Sequence, residues 1–169
     1  MKTSRLWLYR LLTALLPETR CFGFKRTLLR WCGAKIGKNV QINSSASFFG
    51  NGKLEIGDDV WIGPRVMLGS SGDAVIRIGC DVDIAPGVNV WTGSHKVDLN
   101  GKHLAGSGYN ESIVIGDGSW IGIGATILHG VSLAPQTLVA AGAVVVNSVC
   151  SPLTLIAGVP GVTKKKLAQ

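Results

Sequence analysis

The chain has 169 residues, 46% of them hydrophobic, with 23 glycines and a formal net charge of +7. This length and composition indicate one folded domain and argue against a disordered chain. No apolar run approaches the length that spans a bilayer, and the four cysteines show neither metal-site nor redox-motif spacing. With no cleavable signal sequence evident, we expect a cytoplasmic protein whose cysteines are free thiols.

The positive charge is concentrated at the two ends of the chain. Residues 1–38 hold nine Lys/Arg and one acidic residue, Glu18, whereas residues 39–163 hold five Lys/Arg and nine acidic residues. Three consecutive lysines, Lys164–Lys166, then open a basic tail over residues 164–169. Basic ends favour anionic partners such as nucleotide phosphates or an acidic membrane surface. We expect no nucleic acid among the partners.

Residues 1–32 show the pattern of a basic amphipathic helical segment. Leucines recur at helical spacing from Leu8 to Leu16, and Pro17 separates them from a second apolar stretch that ends near Trp31. One hypothesis is a cap over the open end of the repeat domain that follows, because exposed strand edges need protection. The other is an anchor that inserts Trp and Leu side chains into an anionic membrane surface. The two are compatible because cap and anchor can use different helix faces.

Residues 33–163 follow a period of six. An aliphatic residue occupies every sixth position over one long stretch: Ile115, Ile121, Ile127, Leu133, Val139 and Val145. This period is neither the 3.6 of a helix nor the 2.0 of a strand, and an ordinary β-sandwich would alternate at period two. It is typical of a solenoid whose short strands turn a corner every six residues and point one residue in six inward. With earlier coils between Ile36 and Val90, we expect about five coils.

The period stops between residues 92 and 112. A polar segment that interrupts the repeats of a solenoid usually has a function. We therefore expect a loop here that forms part of the functional site. His95 lies near its start and His103 within it. Asp73 occupies the equivalent place one coil earlier, so the stacking of coils predicts that it lies close to His95.

Three sequence motifs accompany the repeats. They are Ile-Ala-Pro-Gly-Val-Asn-Val-Trp-Thr-Gly-Ser-His at residues 84–95, Ile-Gly-Asp-Gly-Ser-Trp-Ile-Gly at 115–122 and Leu-Ile-Ala-Gly-Val-Pro at 155–160. As a set they resemble the hexapeptide-repeat acyltransferases, and among these the sugar O-acetyltransferases that include galactoside acetyltransferase. The resemblance implies an all-β fold, a left-handed parallel β-helix that forms homotrimers. It also implies direct transfer of an acetyl group from acetyl-CoA to a sugar hydroxyl, without an acyl-enzyme.

The resemblance assigns roles to residues on the acceptor side of the site. His95 matches the family's general base, and an imidazole that titrates near neutrality can take the proton of the attacking hydroxyl. Asp73 matches an acidic residue that helps to hold the acceptor sugar, and it could also orient the imidazole. Arg65 stands where galactoside acetyltransferase has an Asn, which puts the identity of the acceptor in question. Asn89 is a further candidate for acceptor binding.

The later coils carry the positions that the resemblance implies for acetyl-CoA. Trp120, Ile123, Ala141 and Asn147 match contact positions of the coenzyme, although Asn147 replaces a Lys that is common in the family. Lys165, within the lysine run near the C-terminus, is placed to meet the nucleotide phosphates. We expect no bound metal ion.

Three functions are compatible with these sequence features. The leading one is an O-acetyltransferase for a surface polysaccharide (O-antigen, capsule or exopolysaccharide) or its lipid-linked precursor at the inner face of the plasma membrane. The second is an acetyltransferase for a free sugar, an antibiotic or an amino acid. The third is a zinc protein like the γ-class carbonic anhydrases, which share the β-helix and bind zinc through three histidines. Those enzymes pair two of their ligands at close spacing, and no second histidine lies near His129. His129 falls at an interior corner of its hexad, so we expect it to be structural or interfacial, with contact to the coenzyme as the alternative.

Overall fold

The computed structural model describes residues 1–167, which form a parallel β-helix preceded by two α-helices. Helix α1 spans Thr3–Thr13 and helix α2 spans Phe22–Trp31. Each coil of the β-helix contributes one short strand to each of three sheets, and the strands of successive coils pair in parallel. The predicted β-helix of about five coils with a short helical N-terminal segment is confirmed.

The strands follow one another in chain order, coil by coil. Coil 1 contains β1 (Lys35–Ile36), β2 (Gln41–Ile42) and β3 (Ser47–Phe49). Coil 2 contains β4 (Lys53–Ile56), β5 (Trp61–Ile62) and β6 (Met67–Gly69). Coil 3 contains β7 (Val75–Ile78), β8 (Asp83–Ile84) and β9 (Asn89–Trp91), and is followed by β10 (Gly93–Val97) and β11 (Ala105–Asn110). Coil 4 contains β12 (Ile113–Ile115), β13 (Trp120–Ile121) and β14 (Thr126–Ile127). Coil 5 contains β15 (Ser132–Leu133), β16 (Leu138–Val139) and β17 (Val144–Val145), and is followed by β18 (Thr154–Ala157) and β19 (Val162–Lys166).

The period of six arises from columns of inward side chains. In the second sheet, built from the middle strand of each coil, Ile42 pairs with Ile62, and Ile62 pairs with Ile84. The column continues through Ile121 to Val139. All five side chains are completely buried. Because each coil places its side chains against the equivalent ones of the next coil, the interior accepts only apolar residues at these positions.

The three corners of the coil differ in length. The first corner joins the first sheet to the second, the second corner joins the second sheet to the third, and the third corner leads into the next coil. The third corner carries the insertions, at residues 50–52, 70–74 and 92–112. The last of these, which we expected to be a loop, contains an antiparallel hairpin of β10 and β11.

Helices α1 and α2 cover the open end of coil 1. Leu6, Tyr9 and Leu29 are buried in the common core. The Tyr9 ring meets the Phe48 ring edge-on, with centroids 5.6 Å apart. Because α1 lies against the third sheet and α2 against the first two, the helices protect apolar residues that no further coil would cover.

Two arginines of α2 bind backbone acceptors at this end of the β-helix. Backbone N–H groups of one coil donate to carbonyls of the next. Within residues 1–167, the strand carbonyls of coil 1 that face away from coil 2 therefore have no strand partner. Arg26 donates to the Val40 carbonyl oxygen at 3.0 Å. Arg30 donates to the carbonyl oxygens of Ile36 and Gly37 at 2.8–3.0 Å. Part of the N-terminal positive charge therefore has a structural role, because these side chains satisfy acceptors that no strand pairs.

The C-terminal end is closed by a strand pair. β18 pairs in parallel with β16, and β19 folds back antiparallel to it with Lys165 opposite Leu155. Lys164–Lys166 belong to strand β19 and are exposed. Residues 168–169, the end of the expected basic tail, lie outside the described residues. Within residues 1–167, no helix has the length and apolar character needed to traverse a bilayer.

Candidate functional site: the His95 hairpin

The third corner of coil 3 builds a surface pocket around His95. His95 lies on β10, opposite Gly108 of β11, and its side chain is exposed. A Cβ atom at Gly108 would lie 3.7 Å from the imidazole Cε1, so the glycine leaves that side of the ring open. The pocket has a volume of about 380 Å³ and is lined by residues of both strands: Gly93, Ser94, His95, Gly108, Tyr109 and Asn110.

A backbone carbonyl fixes the protonation pattern of the His95 ring. The Nδ1 atom lies 2.9 Å from the carbonyl oxygen of Gly106. Because a carbonyl oxygen can only accept a hydrogen bond, the neutral ring carries its proton on Nδ1, and Nε2 keeps an unshared electron pair. Within the described part of the chain, Nε2 has no hydrogen-bond partner. This atom can accept a proton from a bound ligand.

A second polar cluster lies beside the hairpin, around His129 at the third corner of coil 4. The His129 Nδ1 atom is 2.9 Å from Glu111 Oε2, and its Nε2 atom is 3.3 Å from the Tyr109 hydroxyl. The rings of Tyr109 and His129 also meet edge-on, with centroids 5.0 Å apart. Because Tyr109 lines the His95 pocket, the cluster connects the wall of that pocket to the body of the β-helix.

Asp73 lies at the third corner of coil 2, one coil before His95. The backbone N–H of Ser71 donates to Thr92 Oγ1 at 3.2 Å, which ties this corner to the base of the hairpin. Asp73 is exposed. Among residues 1–167 no hydrogen bond joins it to His95, and the contact that orients the imidazole comes from the Gly106 carbonyl.

The other two acceptor candidates lie along the third sheet. Asn89 begins β9, and its side-chain amide donates to the Gly87 carbonyl oxygen at 3.1 Å. Arg65 lies at the second corner, on the opposite edge of the sheet, with a left-handed φ of 56°. A single chain therefore does not bring Arg65 to the corner that holds Asp73 and His95.

The expected coenzyme positions are exposed but spread over one chain. Trp120 lies on the second sheet and is 57% exposed, and Ile123 lies at the second corner and is 61% exposed. Ala141 occupies the same corner one coil later, whereas Asn147 lies at the third corner of coil 5 and Lys165 on β19. One chain thus presents Trp120 and Lys165 on its second sheet, and the other three positions at the corners on either side of its third sheet.

Among the described residues, no cysteine lines the His95 pocket, and His95 is the one side chain there of a type that commonly binds metal. All four cysteines are free. In the described residues, no three His, Cys, Asp or Glu side chains are grouped closely enough to hold a metal ion. The zinc hypothesis gains no support from this arrangement.

Comparison with known proteins decides the family. The family model described as bacterial transferase hexapeptide (six repeats) matches residues 112–147. A candidate colanic acid biosynthesis acetyltransferase of Escherichia coli K12, WcaF, is 35% identical over 127 residues, which cover 75% of this chain and 66% of that protein. The chain belongs to the hexapeptide-repeat transferase family.

Two further relatives of this hexapeptide-repeat transferase are informative. Galactoside O-acetyltransferase of Lactococcus lactis is 28% identical over 144 residues, covering 83% of this chain and 66% of that protein. A hexapeptide-repeat acetyltransferase of Vibrio cholerae, solved with acetyl-coenzyme A, has 25% identity and a TM-score of 0.72, covering 98% of this chain and 87% of that chain. The chain spans 44–66% of the length of the curated relatives that it matches.

The groups that hold the His95 ring and its pocket were not predicted from the sequence. Gly106 acts through its backbone carbonyl, which leaves no side-chain signature. Tyr109 and Glu111 lie at the end of the stretch without a period, where position in a repeat gives no guidance. The available signal was the polar character of that stretch, in which Tyr109 is the single Phe, Trp or Tyr residue.

Proposed function

We propose that this hexapeptide-repeat transferase is an acetyl-CoA-dependent O-acetyltransferase that acts on a sugar hydroxyl, with His95 as its general base. The observation that carries the proposal is the state of the His95 ring. Its Nδ1–H is held by the Gly106 carbonyl, and its Nε2 is unpaired in the described residues, beside an open pocket. The names of the relatives, acetyltransferases of colanic acid biosynthesis and of galactosides, support an acetyl donor and a sugar acceptor.

The proposed chemistry is a direct transfer in a ternary complex. Nε2 of His95 takes the proton of the acceptor hydroxyl while the hydroxyl oxygen attacks the thioester carbonyl of acetyl-CoA. A C–O bond forms, the C–S bond breaks, and the leaving CoA thiolate receives the proton from the imidazolium. The products are an acetylated sugar and CoA, and the base returns to its starting state. No cysteine is required as a nucleophile.

The proposed acceptor is a sugar of a surface polysaccharide or of its lipid-linked precursor. The exposed Asp73 carboxylate, one coil before His95, can accept hydrogen bonds from sugar hydroxyls. Asn89 and Arg65 add an amide and a guanidinium along the third sheet. A guanidinium pairs well with phosphates and carboxylates, so Arg65 suits an acidic glycan or a phosphate-linked one.

The proposed active unit is a homotrimer with a site between neighbouring chains. The outer face of the first sheet is polar, with Lys35 and Arg77 both bonded to Glu55, and these bonds lower the pKa of that carboxyl. The other two sheets expose large apolar side chains such as Trp120 and Met67. Cyclic packing through those two sheets would bring the second-corner candidates of one chain toward the third-corner pocket of its neighbour.

The test is a transfer assay with labelled acetyl-CoA and three acceptor classes: free sugars, soluble oligosaccharides and polyprenyl-linked glycans. We expect acetylation of a carbohydrate hydroxyl, and we expect activity to fall when dilution dissociates the trimer in analytical ultracentrifugation. Transfer to an antibiotic or an amino acid alone would replace the proposed acceptor class. A fully active monomer would contradict the shared site, and zinc-dependent activity without any transfer would contradict the proposed reaction.

A further inference from the structure

The outer side of helix α1 is apolar, although its inner side already packs on coil 1. Trp7, Leu11 and Leu15 are 68%, 51% and 81% exposed. They recur every four residues, the last just beyond the end of the helix, and so form one stripe on the side opposite the core. We call these three residues the α1 stripe. Capping coil 1 does not need it, and contiguous exposed apolar side chains usually mark an interaction surface.

The end of the molecule that carries the α1 stripe is strongly basic. Residues 1–38 contain nine of the 17 Lys/Arg and one acidic residue. Lys2, Arg10 and Arg20 are exposed there. Trp and Leu side chains combined with positive charge complement the headgroup region of an anionic bilayer. Helices of 11 and 10 residues can lie on such a surface.

The position of the α1 stripe also suits a planar partner. The two helices lie across the end of the β-helix, whereas the His95 pocket opens at its side. A cyclic trimer places three β-helices side by side, so all three helical ends face the same way. One surface can then bind three stripes at once, which strengthens a contact that is weak for one chain.

We propose that the α1 stripe inserts into the headgroup region of an anionic membrane and holds the protein where a lipid-linked glycan is presented. The orientation toward a lipid-linked acceptor rests on the proposed function. The simultaneous contact of three stripes rests on the proposed trimer. The contact of a single α1 stripe with the membrane does not, and it can be measured without any enzymatic assay.

The first test compares two triple variants by co-sedimentation with vesicles of phosphatidylglycerol and phosphatidylcholine. Gln replaces all three residues of the α1 stripe, because Gln keeps a high helix propensity. The matched control removes three apolar side chains of the hairpin that are 69–81% exposed: Val97→Gln, Leu99→Gln and Leu104→Gln. We expect wild-type protein and control to bind at low salt, and the stripe variant to bind at least about tenfold more weakly.

The second test changes charge instead of apolar surface. Lys2, Arg10 and Arg20 are replaced together by Gln, whereas Arg26 and Arg30 stay unchanged because they bind the carbonyls of coil 1. Binding should weaken by a factor on the order of 10², since each basic residue near an anionic surface contributes about a factor of five. Vesicles of pure phosphatidylcholine should bind wild-type protein poorly.

The outcomes separate this proposal from its competitors. Wild-type binding that is absent at low salt, or unchanged in the stripe variant, would overturn it. Loss of binding in the hairpin control alone would assign the contact to the hairpin, and dissociation of the stripe variant in light scattering would assign the stripe to contacts between copies. If no acceptor is acetylated, the proposed function fails, yet vesicle binding still decides the membrane contact.

A second inference, independent of the α1 stripe, concerns His129. The His129 Nδ1 atom is 2.9 Å from Glu111 Oε2, and its Nε2 atom is 3.3 Å from the Tyr109 hydroxyl. Tyr109 pairs with Ser94, the neighbour of His95, in the β10–β11 ladder. A carboxylate accepts from Nδ1–H, which leaves Nε2 to accept from the Tyr109 hydroxyl. We infer that His129 is a positioning residue that fixes the hairpin, and through it the His95 base, against coil 4.

The test uses His129→Ala in two backgrounds. In the wild-type background kcat should fall about tenfold with the KM for acetyl-CoA unchanged, because small displacements of a base are costly. In a His95→Ala background the same change should alter transfer less than about twofold, since its effect passes through a base that is already absent. An equal loss in both backgrounds, or no loss in either, would overturn the inference.

A matched control removes other hydrogen bonds from the same hairpin. The Asp98 carboxylate accepts from the backbone N–H groups of Asn100 and Gly101 at the hairpin tip. Asp98→Ala should leave kcat within about twofold of wild type, because the tip does not hold the base. A loss equal to that of His129→Ala would show that kcat follows general loosening of the hairpin, and would contradict a specific role for His129.

Discussion

Replacing His95 with Ala should lower acetyl transfer by about 10² or more, because a positioned general base contributes an effect of this size. The protein should remain folded, since the side chain is exposed and lies outside the core. Acetyl-CoA binding, measured by calorimetry, should stay close to wild type because the expected coenzyme contacts involve other residues. The rate is measured with both substrates at saturation, so that a change in binding does not mask the change in chemistry.

Two further variants make this result specific. In His95→Asn the side-chain amide can still donate to the Gly106 carbonyl but cannot take a proton, so the same loss is expected. His103 is another exposed histidine between β10 and β11. His103→Ala should therefore keep activity within about twofold of wild type. Activity of His95→Ala within that same margin would rule out His95 as the base.

The β-helix could be predicted because its packing repeats with the chain. Every aliphatic position from Ile115 to Val145 in steps of six is buried, with at most 2% exposure. Each coil places these residues against the same positions of its neighbours, so a polar side chain at any of them would be buried without a partner. The interruption at residues 92–112 could be recognised for the same reason. The hairpin contributes no side chains to the inward columns, so its sequence lacks the period of six.

Only those residues of the site that belong to a recognisable sequence motif could be predicted. His95 follows from such a motif, but the group that fixes its tautomer is the backbone carbonyl of Gly106, 11 residues later in the chain. The position of this carbonyl depends on the register of β10 and β11, which glycine-rich strands do not specify through side-chain patterns.

The N-terminal arginines show a similar limit. Charge alone suggested a partner outside the chain, whereas Arg26 and Arg30 bind carbonyls of coil 1.

The second large effect is expected in the N-terminal cap. Leu29→Ala should lower the free energy of unfolding by about 2–5 kcal/mol, the usual cost of emptying a buried leucine site. Leu29 is completely buried, and α2 packs over β1 and β2, so few neighbouring atoms can move into the space. Chemical denaturation followed by circular dichroism measures the change. Exposed apolar surface at coil 1 should also increase aggregation during unfolding.

Leu11→Ala on helix α1 is the matched control, with the same atoms removed from a side chain that is 51% exposed. Its effect on the free energy of unfolding should stay below about 1 kcal/mol, because little buried contact is lost. Vesicle binding, measured at temperatures where both variants are folded, should show the opposite pattern. Leu11→Ala should bind vesicles more weakly than wild type, and Leu29→Ala should bind them as wild type does. This crossed result would assign the cap and the membrane contact to two faces of one helical segment. Equal and small changes in unfolding free energy for both variants would contradict the cap, because they would mean that the helices contribute nothing to the stability of coil 1.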